Sequence, residues 1–302
     1  MLEGCKILFA TAYSEFLELI LQSVIKLTPS ERPNIALITG TDLRDVRFAA
    51  RVQKRFPALV DLWLEVLPPS SAQAQRVAEA NRNGVAWFQR LAAAVLASRS
   101  ESNGQREVER RMFRDEIESL RKDIYIQADI VQDPNAPELI ARLRKIDPYF
   151  ILTTESVFLS QELRSCARGL VFSRCDGWLP DYSGRQAIES ALYRRDWKKV
   201  GSSIILLNDA PFASRIVRRA TCCLAEDDTP ESCLGRSGAL GADLMCDTVA
   251  EAIKSHEVRF YAEAPRTSVA ADTFELGNLA KRKIRQGLPR LIMSELSARH
   301  RV

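Results

Sequence analysis

Short apolar segments alternate with helical patterns along most of the chain, and this alternation constrains the fold more than any other feature. Lys6–Ala10 and Asn34–Thr39 are apolar, and helical patterns follow them over Ser14–Leu27 and Leu43–Phe56. The further predicted strands are Ala58–Val66, Ile124–Val131, Tyr149–Thr153, Gly169–Ser173 and Ser203–Leu207. Such alternation is typical of a mostly parallel sheet with helices on both faces. The sequence therefore predicts an α/β, Rossmann-like fold.

One long segment, residues 70–122, interrupts the alternation. It contains an alanine-rich helical pattern, a polar break and a charged helix over Arg106–Lys122, with six basic and five acidic residues. Mixed charges of this kind are typical of a solvated helix face with ion pairs. The segment could cover a site, form a subunit contact or only pack on the sheet. We predict an α/β domain over residues 1–255 with this helical excursion. A short C-terminal extension, residues 256–302, completes the predicted division.

Composition and charge exclude several classes of protein. The net charge of +4 comes from 43 basic and 39 acidic residues that are mostly interspersed, which argues against nucleic acid as a partner. Seven cysteines at irregular spacing make a poor disulfide framework, and the two histidines do not form a zinc motif with them. No apolar stretch is long enough to span a membrane. We expect a cytoplasmic protein with reduced thiols, no metal site and no membrane partner.

Common nucleotide and hydrolase motifs are also missing. The loop after Lys6–Ala10 has no Gly-x-Gly-x-x-Gly, and neither a phosphate-binding Lys-Ser/Thr loop nor a Gly-x-Ser-x-Gly elbow occurs. Because both histidines lie near the C-terminus, a mechanism based on a central imidazole has no support.

The most distinctive segment is Gly169–Gly184, where a predicted strand leads into Leu-Pro-Asp-Tyr-Ser-Gly, a helix over Gln186–Arg194 and then a second strand. Two further landmarks are Asp-Pro-Asn at residues 133–135 and Asp-Thr-Pro-Glu-Ser at residues 228–232. Together these resemble the catalytic domain of the folate-dependent formyltransferases. That family includes methionyl-tRNA formyltransferase, the glycinamide ribonucleotide enzyme and sugar N-formyltransferases. The resemblance covers roughly residues 5–255 and implies the formyltransferase fold, with 10-formyltetrahydrofolate as the possible cofactor.

The catalytic residues that the resemblance implies are replaced in this chain. The family's Asn and His, which bind the developing oxyanion, fall on Ser173 and Cys175, and its Asp falls on Phe212. Ser173 could donate one hydrogen bond, whereas a thiol is a weak donor and a phenyl ring is none. Loss of one oxyanion donor typically costs about 100- to 1,000-fold in rate.

Relocated residues could restore the chemistry. Asp209 lies three positions before the aligned residue, and Cys175 could act as a nucleophile if a cation lay beside its sulfur. The alternative for Cys175 is a small buried apolar side chain. The candidate catalytic residues are therefore Cys175, Asp209 and Ser173. The side chains and loops that would contact a ligand are Asp176, Trp178, Pro180, Gly184 and Phe212.

Three hypotheses about function remain open, and the sequence leaves undecided whether the protein is an enzyme. The first is a divergent formyltransferase-fold protein of a biosynthetic pathway that has lost standard formyl transfer. The second is an active N-formyltransferase on a small amine with relocated residues. The tail after residue 255 is too short for an added tRNA-binding domain, which argues against tRNA as the substrate. The third is an interaction protein, with a partner protein or a second copy of the chain bound through the excursion.

Overall fold

One mixed sheet runs through the part of the chain that the computed structural model describes, namely residues 22–68, 102–121, 124–184, 186–207, 215–225 and 227–261. Its strands are β1 (Gln22–Lys26), β2 (Ile35–Thr39), β3 (Val60–Val66), β4 (Asp129–Val131), β5 (Phe150–Thr154), β6 (Leu170–Cys175), β7 (Gly201–Leu206), β8 (Arg215–Thr221) and β9 (Glu257–Tyr261). The helices are α1 (Leu43–Arg55), α2 (Ser102–Arg121), α3 (Pro137–Ile146), α4 (Gln161–Arg164), α5 (Ala187–Tyr193) and α6 (Pro230–Ser255), with a short 3-10 helix at Trp197–Lys199.

The strand order is β1-β9-β8-β7-β6-β5-β2-β3-β4. All pairs from β6 to β4 are parallel, whereas those from β6 through β7, β8 and β9 to β1 are antiparallel. Within these described strands, β7 and β9 therefore run against the others. The α/β prediction is confirmed, and β7–β9 add an antiparallel half to it.

Both faces of the parallel half are covered by helices, which explains why β2 and β5 are buried at every position. On one face, Leu37, Phe150 and Phe172 pack with residues of α1 and α6. On the other face, Ile38 and Ile151 pack with residues of α3 and α4. Successive strand residues alternate between these two layers, as the period of two requires.

Strand β1 occupies a segment near the N-terminus for which the sequence predicts a helix. The predicted helix over Ser14–Leu27 is wrong at its C-terminal end, because residues 22–26 form β1 and pair antiparallel with β9. Pairing with a distant strand overrides a local helical pattern here. The predicted strand Lys6–Ala10 lies outside the described residues. Within the parallel half of the described sheet, β2 holds the middle place, between β3 and β5.

The predicted strand over Ile124–Val131 is wrong in its first half. Only Asp129–Val131 joins the sheet, beside β3. The backbone amides of Tyr125 and Ile126 donate instead to Oε1 of the buried Gln53 at 3.2 and 2.9 Å. A side chain of α1 thus satisfies the groups that a strand would have paired.

The charged helix α2 has the solvated face that its composition predicts, with Glu107, Arg110 and Glu118 exposed, and a second face that is buried. Phe113 is 4% exposed and Glu109 is 1% exposed. Arg47 of α1 donates two hydrogen bonds to Glu116 at 2.9 and 2.7 Å, whereas Arg110 and Glu107 form an ion pair within α2. The described part of the excursion thus packs on α1 and α6, and the rest of it lies outside the described residues.

The C-terminal strand β9 falls in the predicted extension but hydrogen-bonds to β8 and β1 in the same sheet. The division at residue 255 stays a prediction. A search of the described residues for a helix that is both long and apolar enough to cross a bilayer finds none.

Candidate functional site

Polar and charged side chains gather where β2, β5 and β6 end, at Thr39, Thr154 and Cys175. In open α/β sheets, ligands bind at the carboxyl ends of the strands. The first turn of α1, which follows β2, meets the residues at and after the ends of β5 and β6 there. We call this group the strand-end cluster; it comprises Arg44, Asp45, Glu155, Arg174 and Asp176.

Arg174 is a charged residue in an otherwise apolar strand, and it is 2% exposed. Alternation along β6 places it on the same face as Phe172, toward α1 and α6. Its Nη2 donates to Oδ1 of Asp45 at 2.9 Å and lies 3.4 Å from Oδ2 of Asp176. Its guanidinium carbon lies 5.5 Å from the ring centre of Phe48. Since both carboxylates are also buried, removal of either would leave an uncompensated charge.

Arg44 joins three elements of the fold. Its Nη1 donates to Oδ2 of Asp176 at 2.5 Å, and its Nε lies 2.6 Å from Oε1 of Glu109 on α2. Burial lowers the pKa of Arg44, but the charges of Asp176 and Glu109 outweigh that effect and raise it. The other oxygen of Asp176, Oδ1, is buried without a hydrogen-bond partner.

Glu155 forms the turn after β5, and its backbone N–H donates to the carbonyl of Arg174 at 2.9 Å. The backbone N–H of Asp176 favours the ionised form of its half-buried carboxyl. Burial, and then the charge of Asp176, raise the pKa of Glu155 to about 8 against the opposing effect of both arginines. The group is therefore protonated at neutral pH. A perturbed carboxyl at a strand end is a candidate for acid–base chemistry.

Asp45 completes the charged network at the start of α1. Burial raises its pKa although Arg174 opposes the shift. Its Oδ2 accepts a hydrogen bond from Oγ of Ser156 at 3.0 Å, and Ser156 lies 2.8 Å from Oγ1 of Thr154. These hydroxyl groups tie the carboxylate to the turn that carries Glu155.

Glycines on one face of α6 make room for the two buried arginines. A Cβ at Gly238 would lie 2.9 Å from Cδ of Arg44, and one at Gly241 would lie 2.8 Å from Cδ of Arg174. The stems of both arginines therefore fill space that a side chain on α6 would occupy.

The predicted catalytic residues Ser173 and Cys175 point to the opposite face of β6 from Arg174. They are 3% and 7% exposed, and the hydroxyl of Ser173 hydrogen-bonds to the thiol. Cys175 packs against Ile205 and Ile216. Burial, with the charges of nearby carboxyl groups, raises the pKa of Cys175 well above its usual range. The thiol is neutral near pH 7, and this favours the buried apolar interpretation over a nucleophile.

The segment that follows β6 contains three more residues that the sequence predicts to contact a ligand: Trp178, Pro180 and Gly184. Ser203 of β7 fixes it by accepting from the amide of Leu179 at 3.1 Å and donating to the carbonyl of Gly177 at 2.7 Å. The guanidinium carbon of Arg219 lies over the ring of Trp178, 4.8 Å from the ring centre. Trp178 also packs against apolar residues of α5. The peptide bond before Pro180 is cis, and Gly184 has a φ of 79°.

The predicted residues are thus only partly brought together. Asp176 belongs to the strand-end cluster, and Ser173 and Cys175 lie beside it on the other face of β6. Asp209 and Phe212 lie outside the described residues.

The Asp-Pro-Asn and Asp-Thr-Pro-Glu-Ser motifs form hydrogen bonds that fix the backbone around them. Asn135 bridges to the turn after β5, donating to the carbonyl of Phe158 at 3.1 Å and accepting from the amide of Ser160 at 2.7 Å. Thr229 caps α6 in a reciprocal pair with Ser232. Pro230 occupies the first turn, as the Asp-Thr-Pro-Glu-Ser pattern predicts.

Sequence reasoning missed Arg44, Asp45 and Glu155 as site residues. One signal could have pointed to them: an arginine inside an apolar strand needs a buried counter-charge. No group of His, Cys, Asp and Glu in the described part of the chain has the arrangement of a metal site.

Comparison with known proteins gives similarity in structure only. Neither the models of protein families nor the curated proteins include a match. A sugar N-formyltransferase from Shewanella is 12% identical over 83% of this chain and 86% of its own, with a TM-score of 0.45. Glycinamide ribonucleotide transformylase 1 from Symbiobacterium toebii is 10% identical over 75% of this chain and 90% of its own, with a TM-score of 0.47. A phosphoribosylglycinamide formyltransferase from Coxiella burnetii is 16% identical over 74% of this chain and 88% of its own, with a TM-score of 0.43. The chain resembles these formyltransferases, but scores and identities this low carry no conclusion about reaction or substrate.

Proposed function

We propose that this chain is a divergent formyltransferase-like protein that has lost standard formyl transfer. The single observation that supports this is Cys175, a buried neutral thiol at the position that the sequence motif assigns to the oxyanion-binding His. The proposal leaves the protein a ligand-binding role at the carboxyl ends of β5 and β6, without transfer of a formyl group from 10-formyltetrahydrofolate.

Formyl transfer needs donors that stabilise the negative charge on the oxygen of the tetrahedral intermediate. The thiol of Cys175 is a weak donor and cannot become a cation. It also lies among Ile205 and Ile216, where a polar substrate oxygen would lose its hydration without replacement. These contacts do not fit the reacting end of a formyl donor.

Ser173 does not fill the gap. Its side chain is 3% exposed and its hydroxyl is engaged by the neighbouring thiol. Arg174, the nearest cation in sequence, points to the other face and is paired with Asp45. None of these three residues of β6 therefore offers a charged donor to a ligand on the Cys175 face.

A second candidate function is formyl transfer to a small amine with relocated groups. The observation that favours it is Glu155, whose pKa of about 8 suits a group that exchanges a proton near neutral pH. In this version the ionised form of Glu155, a minor fraction at neutral pH, would take the proton that the attacking amine loses, and Asp209 would replace the missing Asp.

The two candidates are distinguished by donor binding and by turnover. We expect calorimetry to show no binding of a stable 10-formyltetrahydrofolate analogue at millimolar concentration. We also expect no formyl transfer to glycinamide ribonucleotide or to a panel of amino sugars.

Steady turnover would overturn the proposal, and its loss in Glu155→Gln or Asp209→Asn would support the second candidate. Glu138→Gln is the matched control, because Glu138 is an exposed carboxyl in the first turn of α3, outside the strand-end cluster. Turnover that survives every one of these variants would remove Glu155 and Asp209 from the second candidate.

A further inference from the structure

Three side chains form a hydrogen-bonded series where β2 and β5 end. Oγ of Ser156 donates to Oδ2 of Asp45 at 3.0 Å, and Oδ1 of the same carboxylate accepts from Nη2 of Arg174 at 2.9 Å. Ser156 is exposed, whereas Asp45 and Arg174 are buried. A hydroxyl within hydrogen-bond reach of a base that a third group orients is the arrangement of an activated nucleophile. Ser156, Asp45 and Arg174 have this arrangement.

Ser156 also lies at the point of the sheet where α/β folds bind ligands. From β2 the chain leads to β3 on one side, whereas β5 lies on the other side and leads to β6. The direction of the strand order thus reverses between β2 and β5, and ligands bind outside the carboxyl ends of strands at such a point. A Cβ at Gly40, just after β2, would lie 2.7 Å from Oγ of Ser156. The glycine therefore leaves the space that the hydroxyl occupies.

The other contacts of Ser156 and Asp45 suit the same chemistry. Oγ1 of Thr154 lies 2.8 Å from Oγ of Ser156. Since the single hydroxyl proton of Ser156 goes to Asp45, Thr154 is the donor of this second hydrogen bond and stabilises negative charge on the Ser156 oxygen. Burial raises the pKa of Asp45 against the effect of Arg174, and a more basic carboxylate accepts a proton more readily.

We propose that Ser156 is a nucleophile for acyl transfer from a neutral ester or thioester, with Asp45 as its general base and Arg174 as the positioning residue of that base. Oγ of Ser156 bonds to the acyl carbon and its proton passes to Asp45; the alcohol or thiol departs with the electron pair of the broken bond and takes that proton. Water then releases the acid, its proton returning through Asp45 to Oγ. The partly exposed carboxylate of Asp42, at the start of α1, disfavours an anionic donor. The inference goes beyond the proposed function, because it needs neither a folate nor a formyl group.

Hydrolysis of p-nitrophenyl acetate tests the inference, because each acylation releases a coloured p-nitrophenolate. We expect steady release, with an acetyl group on Ser156 in peptide mapping of the quenched reaction. Ser156→Ala removes the nucleophile and Asp45→Asn the base, and each should lower the rate about 100-fold or more. Ser165→Ala is the matched control, because Ser165 is an exposed serine that donates to the carbonyl of Glu162 instead of to a carboxylate. Its rate should equal that of the unmodified protein.

A second measurement covers the case in which Asp45→Asn fails to fold, as circular dichroism would show. A fluorophosphonate reacts with activated serines, so it should label Ser156 in the folded protein and lose that selectivity in urea. No labelling of Ser156 would overturn the inference. So would an unchanged hydrolysis rate in Ser156→Ala, acetyl groups on other residues only, or an unchanged rate in a folded Asp45→Asn protein.

Discussion

Adding one methyl group at Gly241 tests whether α6 makes room for the buried arginine of β6. An ideal Cβ there would lie 2.4 Å from Oγ of Ser202 and 2.8 Å from both Cδ and Cγ of Arg174. Ser202 cannot move freely, because it is fully buried and its hydroxyl donates to the carbonyl of Cys175 at 2.8 Å. Gly241→Ala must therefore displace Arg174 from Asp45, α6 from the sheet, or both.

Opposing contributions determine how much Gly241→Ala changes the unfolding free energy. Alanine favours a helix over glycine by about 1 kcal/mol. Overpacking a well-filled core costs about 1–3 kcal/mol. A disturbed Arg174–Asp45 pair adds part of the roughly 3–5 kcal/mol that a broken buried ion pair costs. We expect Gly241→Ala to lose about 2–4 kcal/mol of unfolding free energy in urea.

The same substitution elsewhere on α6 supplies the control. At Gly235 the nearest atoms are Sδ and Cε of Met112, at 3.1 and 3.3 Å, and a flexible side chain can yield. Gly235→Ala should change the unfolding free energy by no more than about 1 kcal/mol, the size of the helix-propensity gain. Gly238→Ala should fall between the two, since it meets Cδ of Arg44 at 2.9 Å. A Gly241→Ala protein as stable as the original would refute the close packing of α6 on Arg174.

Three further predictions concern charge, capping and thiol reactivity. Arg44→Met should lose about 3–5 kcal/mol in urea unfolding by removing a cation from two buried carboxylates, whereas Arg51→Met, at a more exposed pair, should lose less than about 1 kcal/mol; equal losses would contradict the account of the cluster. Thr229→Ala removes the cap of α6 and should cost about 1 kcal/mol, seen as a lower melting temperature, and an unchanged melting temperature would contradict the capping role. In peptide mapping after thiol alkylation at pH 8, exposed Cys223 should react while buried Cys175 stays unmodified until the protein unfolds; early labelling of Cys175 would contradict its raised pKa.

The parallel half of the fold was predictable because its signals are local. Ile35–Thr39 and Phe150–Thr154 are buried at every position, and short, largely apolar runs of that length are typical of strands covered on both faces. The start of α6 was predictable for the same reason, since Thr229 and Pro230 act within one helical turn. Strand β1 was not, because its strand form depends on pairing with β9, more than two hundred positions away.

The strand-end cluster escaped prediction because its contacts are long-range. Arg174 pairs with Asp45 across 129 positions, and Arg44 pairs with Asp176 across 132. No spacing rule links residues so far apart. The raised pKa of Glu155 depends on the same contacts, since it arises from burial and from the charge of Asp176.

Successive side chains of β6 point to opposite faces of the sheet, so substitutions at neighbouring positions affect different parts of the structure. Arg174 faces α1 and α6, where it neutralises buried carboxylates, while Ser173 and Cys175 face the layer that contains Ile205 and Ile216. A substitution of Arg174 therefore tests stability without altering the Cys175 face. Cys175→His would place a larger, polar ring against two buried isoleucines, at an overpacking cost of about 1–3 kcal/mol. The packing of the core is thus adapted to the thiol, and the proposed loss of formyl transfer involves the neighbours of Cys175 as well as Cys175 itself.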